Sequence, residues 1–158
     1  MSLSLLLTQR NNCCWFEDIE YDHHSKTLSV CPTMVSLTSE EISQYRSQLA
    51  DYPDAVVALD EIDNCEGDLE DATLNLAIRV GQQPDRNDFL NGLAKRYRVE
   101  ICQDMLQQEL LKGNLILVVD TLMKAELFPS VLVTPVVLYV MKQGVKSFCE
   151  PLTYKIET

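Results

Sequence analysis

The stretch from Pro53 to Gly81, PDAVVALDEIDNCEGDLEDATLNLAIRVG, constrains the fold more than any other part of this chain. Ala55, Val56, Leu59 and Ile62 recur at spacings of three and four, the period of an amphipathic helix. Pro53 suits a first helical turn, where no backbone donor is needed. Asn64 and Gly67 tolerate the left-handed backbone that ends a helix. Asp68 reads as an N-cap, with Glu70 and Asp71 in the first turn, where carboxylates meet the positive end of the helix dipole. Leu69, Ala72, Leu76, Ala77 and Val80 form a second apolar stripe, which Gly81 stops. Two such stripes need further helices to cover them, and the rest of the chain supplies helical patterns.

The same stretch is densely acidic. Asp60, Glu61, Asp63, Glu66, Asp68, Glu70 and Asp71 lie within it, with no Lys or Arg between Asp60 and Asp71. A calcium loop requires oxygen ligands at its first, third and fifth positions, Gly at the sixth and Glu at the twelfth. Neither the register starting at Asp60 nor the one at Asp63 supplies them. The carboxylates read as a solvated face, with Asp60, Glu61, Asp63, Glu66 and Glu70 the residues offered to a basic protein partner. Of the net charge of -11, residues 39–71 carry eleven acids against the single Arg46. Such a field disfavours non-specific binding to nucleic acid or an anionic membrane.

Before the hairpin, Thr38 and Glu41 form a capping box, Leu37 and Ile42 are placed as a hydrophobic staple, and Ile42, Tyr45 and Leu49 form a stripe. After it, Asp85 or Asn87 opens a helix with Phe89, Leu90, Leu93, Ala94 and Tyr97 facing inward. Lys95, Arg96 and Arg98 make the basic cluster of the chain. It is narrow for a nucleic-acid reader. Pairing with the acidic hairpin, within the molecule or in a second copy, is the preferred reading, and a nucleic-acid-associated regulator the alternative. Val99, Cys102, Leu106 and Leu110 continue the helix to Lys112, and Gly113-Asn114 ends it and caps the next. Leu115, Ile116, Val119, Leu122 and Met123 form another stripe. Thr134-Pro135 opens a final helix, with Gly144 on its buried stripe admitting a neighbouring backbone and Pro151 ending it. Residues 131–141 are apolar nearly all round, so the 131–148 helix is either central to the core or a homodimer interface.

Residues 1–37 lack a helical period. They read as an irregular arm, with a short β-hairpin around Asp22–Lys26 as the alternative. The arm holds the metal-like cluster Cys13, Cys14, His23, His24 and Cys31. Its adjacent Cys-Cys and His-His pairs depart from usual zinc spacings, so incidental thiols and exposed histidines are preferred over a metal or redox sensor. The six cysteines are read as reduced, and the protein as cytoplasmic, since no export signal or membrane-length apolar run is present.

The order helix, Gly-Asp turn, DLEDATLNLAI is similar to the last two helices of ubiquitin-associated-like three-helix bundles. Those bundles carry a Met-Gly-Phe-type loop where this chain has Asp51-Tyr52-Pro53-Asp54, so the resemblance implies shape and not ubiquitin binding. LTSEEISQYRSQLADYPDAVVALDEIDNCEGDLEDATLNLAIRVGQQPDR together with TPVVLYVMKQGVKSFCEPL resembles a family of small helical proteins of cyanobacteria. That resemblance covers about residues 38–152 and implies no activity, cofactor or catalytic residue.

The expected architecture is a single all-α domain over 38–152, an irregular bundle of about six helices, with the arm at 1–37 and a tail at 153–158. No Gly-rich phosphate loop, nucleophile elbow or zinc-protease motif is present, and both histidines lie in the arm. The reading is a non-catalytic protein-interaction or adaptor domain without a cofactor.

Overall fold

The computed structural model describes residues 35–84 and 88–153. It is an all-α bundle of eight helices: α1 (Ser39–Gln48), α2 (Pro53–Asn64), α3 (Leu69–Arg79), α4 (Phe89–Ile101), α5 (Asp104–Lys112), α6 (Leu115–Lys124), α7 (Val133–Gln143) and α8 (Val145–Thr153). A 3₁₀ turn over Ser130–Leu132 leads into α7. Residues 1–34 of the arm, with the hairpin alternative and the Cys13, Cys14, His23, His24 and Cys31 cluster, lie outside the described residues, as do Asp85 and Asn87.

Eight helices replace the expected six because two long patterns are each cut by local backbone. The Phe89–Lys112 pattern breaks at Cys102 and Gln103, where Gln103 takes an extended conformation before α5. Its stripe therefore does not run straight: Val99, read as buried, ends up 64% exposed on α4, while Ile101 is buried. The final pattern breaks at Gly144, whose φ of +101° ends α7. A side chain there would meet only Ser147 Oγ, at 3.9 Å, so Gly144 serves the turn and admits no close backbone. Pro151 lies inside α8 rather than after it.

α7 is the axis of the bundle. Every residue from Val133 to Val140 is buried, and the helix packs against α2, α3, α4, α6 and α8. Its all-round apolar surface is thus consumed by its own chain. Both alternatives for this helix required such a surface, and the fold uses it as core. The α2–α3 hairpin forms much of one wall, with Ala55, Ala58, Leu59, Ile62, Leu69, Ala72, Leu76 and Ala77 buried.

The caps follow the sequence closely at α1 and α3. Thr38 Oγ1 accepts from Glu41 N at 3.2 Å, and Glu41 Oε2 accepts from Thr38 N at 2.8 Å. Asp68 Oδ1 accepts from Asp71 N at 3.0 Å. Ahead of α1 the chain pairs with the α2–α3 turn: Leu37 N donates to Gly67 O at 2.9 Å, and Leu69 N donates to Val35 O at 3.2 Å. Gly67, at φ +90°, permits this approach, because a Cβ there would lie 2.0 Å from Leu37 O.

Two expected caps differ. Asn114 precedes α6 but makes no side-chain cap; its Nδ2 donates instead to Glu109 Oε2 at 2.7 Å. The N-cap of α4 is Asp88, at φ +57° and without a side-chain cap bond. Glu70 of α3 fills the role, its Oε1 accepting from Leu90 N at 3.2 Å. A cap supplied across two helices has no local sequence signature. Helix α6 also turns somewhat from its expected phase: Leu115, Val118, Val119 and Leu122 are buried, whereas Ile116 is 44% exposed.

Candidate functional site

The acidic hairpin divides into carboxylates that face solvent and carboxylates that hold the fold. Asp60 and Asp63 point outward from α2. Arg46 of α1 ion-pairs with Asp60 and lies 3.8 Å from Asp63. Glu66 is exposed in the turn, at φ +54°. Glu61, by contrast, is only 4% exposed. It accepts from Asn75 Nδ2 at 2.9 Å and pairs with Arg79 Nη2 at 2.6 Å. That burial was invisible to a reading of Glu61 as part of a solvated face. A carboxylate one helical step from Ala58 and Ile62 can be buried only because α3 brings both partners to it.

Glu70 is half-buried, and its work is the α4 cap. Burial raises its pKa above the usual carboxylate value, the Leu90 N–H opposes that rise, and the neighbouring charges of Asp68 and Asp88 add to it. Asp71 is raised in the same direction by burial and by Asp68. Neither site gathers a metal-binding set: among the described residues no group of three or more His, Cys, Asp or Glu side chains is arranged to hold an ion.

One exposed surface of the hairpin is the outer face of α2. Val57 is 45% exposed. Asp54 and Asp60 lie three residues to either side of it and Asn64 one further turn on, so helical geometry puts them on its face. Asp54 also accepts from the Ser130 hydroxyl, which ties this face to the 3₁₀ turn. Val57, an exposed branched apolar side chain with a carboxylate three residues to either side, falls outside the buried phase of α2, so apolar periodicity gives no sign of it.

Lys95, Arg96 and Arg98 do not meet the acidic hairpin. The ion pairs that Asp60, Glu61 and Asp63 make come from Arg46 and Arg79. Instead the Arg96 guanidinium lies over the Phe128 ring, 5.7 Å from its centroid, and that of Arg98 over Phe148 at 4.7 Å. Phe128 in turn meets the edge of Tyr97, with centroids 4.7 Å apart. Tyr97 is fully buried, its hydroxyl lacks a hydrogen-bond partner, and burial pushes its pKa well up. Planar guanidinium groups stack on aromatic faces readily, which accounts for their preference over distant carboxylates.

Cys102 and Cys149 correct the reduced-thiol reading. They form a disulfide between the C-cap of α4 and α8, with Cα atoms 5.5 Å apart. Nothing in their sequence separation of 47 announced it; the packing of α8 against α4 and α5 brings them together. Beside it, Gln107, Lys146, Ser147, Cys149 and Glu150 line a shallow cavity of about 320 Å³. Among the described residues no helix is long and apolar enough to cross a membrane. No protein-family model, curated protein or solved structure matches this chain.

Proposed function

We propose that the protein is a non-catalytic helical interaction domain whose acidic α2 face docks a basic protein partner. The observation that carries the reading is Val57, 45% exposed at the centre of a face bearing Asp54 and Asp60. Exposed valine gains free energy on burial, about 25 cal/mol for each Å² of apolar surface removed from water. The surrounding carboxylates supply orientation and select a basic surface. The inward acids Glu61 and Glu70 are occupied by the fold, so of the expected binding residues Asp60, Asp63 and Glu66 are those that a partner reaches.

An affinity capture from the native host with the full chain tests this. The expected result is a stoichiometric partner held by the wild type and lost from a Val57→Lys/Asp60→Lys variant that keeps its helical circular dichroism. Equal recovery by both proteins removes the reading.

A further inference from the structure

In a chain of net charge -11, unpaired cations are conspicuous. Arg46, Arg79, Lys112, Lys124 and Lys142 each pair with a carboxylate. Among the described residues Lys95, Arg96, Arg98 and Lys146 make no ion pair, and all four lie on α4 or α8. On α4 an exposed valine again has charged residues within a turn of it, now of the opposite sign. Val99, 64% exposed, has Arg96 three residues and Lys95 four residues before it, on the same helical face. Gly92, one further turn back, leaves open space where a side chain would stand. Stacking of Arg96 on Phe128 and of Arg98 on Phe148 holds both guanidinium groups at the edges of this face. Their ordering cost is therefore met before anything binds.

We infer that the α4 face of one copy docks against the α2 face of a second copy, Val99 covering Val57 and Lys95 and Arg96 meeting Asp54 and Asp60. The inference rests on the α2 face being a docking face and names one occupant for it. The two faces are opposite in charge, and each has an exposed valine with two charged residues within about a turn of it: Asp54 and Asp60 to either side of Val57, Lys95 and Arg96 both before Val99. Within one molecule each helix packs chiefly elsewhere: α2 on α1, α3, α7 and the 3₁₀ turn, and α4 on α3, α5, α6, α7 and α8. Repulsion between two net-negative molecules is screened beyond about 8 Å at physiological salt, while the close pairs act within that distance. Because the two faces differ, the contact is head-to-tail, and it propagates to rings or open chains instead of stopping at a two-fold dimer.

Light scattering on the full chain reads this directly. The average mass of the wild type is expected to rise above 18.0 kDa with concentration. Lys95→Glu/Arg96→Glu and Val57→Lys/Asp60→Lys are each expected to stay at the monomer mass, since each lacks one face. Mixed in equal amounts, they restore one native interface and bring the two charge-reversed faces together with opposite sign, so the mixture should associate although neither variant does so alone. A wild type that stays monomeric up to about millimolar concentration overturns the inference. So does a mixture of two helical variants that fails to associate, or a monomeric wild type retained on heparin through Lys95 and Arg96. Zero-length carbodiimide cross-linking of mixed light and ¹⁵N-labelled wild type gives a readout free of substitutions. A Lys95–Asp60 or Lys95–Asp54 link between differently labelled chains supports the contact; links only within a chain overturn it. A monomeric protein that still loses its host partner on Val57→Lys/Asp60→Lys sinks this inference and leaves the proposed function standing.

Discussion

At Gly67 two separate constraints coincide. The backbone sits at φ +90°, and a Cβ would lie 2.0 Å from Leu37 O, against main chain that cannot swing away. Gly144 carries the first constraint without the second, since its φ is +101° but its nearest neighbour is the Ser147 hydroxyl at 3.9 Å. Gly144→Ala should therefore cost about 1–2 kcal/mol for the backbone alone. Gly67→Ala should cost about 3 kcal/mol or more, because the Leu37–Gly67 pairing must also open. Urea unfolding of both variants separates the two contributions. Equal midpoints would show that the approach of residues 35–37 contributes nothing. A different residue-scale lesson comes from Glu61. Spacing alone placed it among solvated acids, but its depth depends on Arg79 and Asn75, which a neighbouring helix delivers.

At the scale of elements, the start of α4 depends on α3. Asp88 provides no side-chain cap, so Glu70 accepts from Leu90 N in its place. Glu70→Ala removes that acceptor and should cost about 1 kcal/mol. Glu70→Gln keeps an acceptor and discards the charge. The folded pKa of Glu70 is raised, so the protonated form is the one that folding favours; the penalty for ionisation appears as pH rises through the unfolded value and is complete above the folded one. At pH 7 the Gln variant should thus match or slightly exceed the wild type in stability. Its advantage should vanish as pH falls below the carboxylate range, and urea midpoints across that range check the sign. Glu41 behaves in the opposite sense. The hydrogen bond from Lys142, then that from the Thr38 backbone, lowers its pKa, so its contribution is present above the unfolded value and is lost as pH falls through the folded one. Helix number belongs to this scale too. Apolar periodicity located every helical region among the described residues, yet it could not see that Cys102-Gln103 and Gly144 would cut two of them.

For the whole molecule, the Cys102–Cys149 bridge closes a span of 47 residues that includes α5, α6 and α7. Loop-closure entropy puts its effect on the unfolded chain at about 4 kcal/mol. Cys102→Ser/Cys149→Ser, or reductant added to the wild type, should lower the urea midpoint accordingly. A midpoint unmoved by either treatment would mean that the bridge does not form in solution. The net charge of -11 takes on a different meaning once the ion pairs are assigned. Arg46 of α1 is drawn to the hairpin and Arg79 pairs within it, leaving α4 as a basic face on an acidic molecule.

The all-α class, the α2–α3 hairpin, the capping box at Thr38 and Glu41 and the cap at Asp68 are legible in the chain alone, because each depends on residues within a few positions of one another. Tertiary structure alone decided which acids are buried, which helix caps which, that α7 is core, and that Cys102 meets Cys149. It also decided that Val57 and Val99 stay outside. A helical stripe is wider than any one packing contact, so the residues at its edge fall inward or outward according to where the neighbouring helices come to rest.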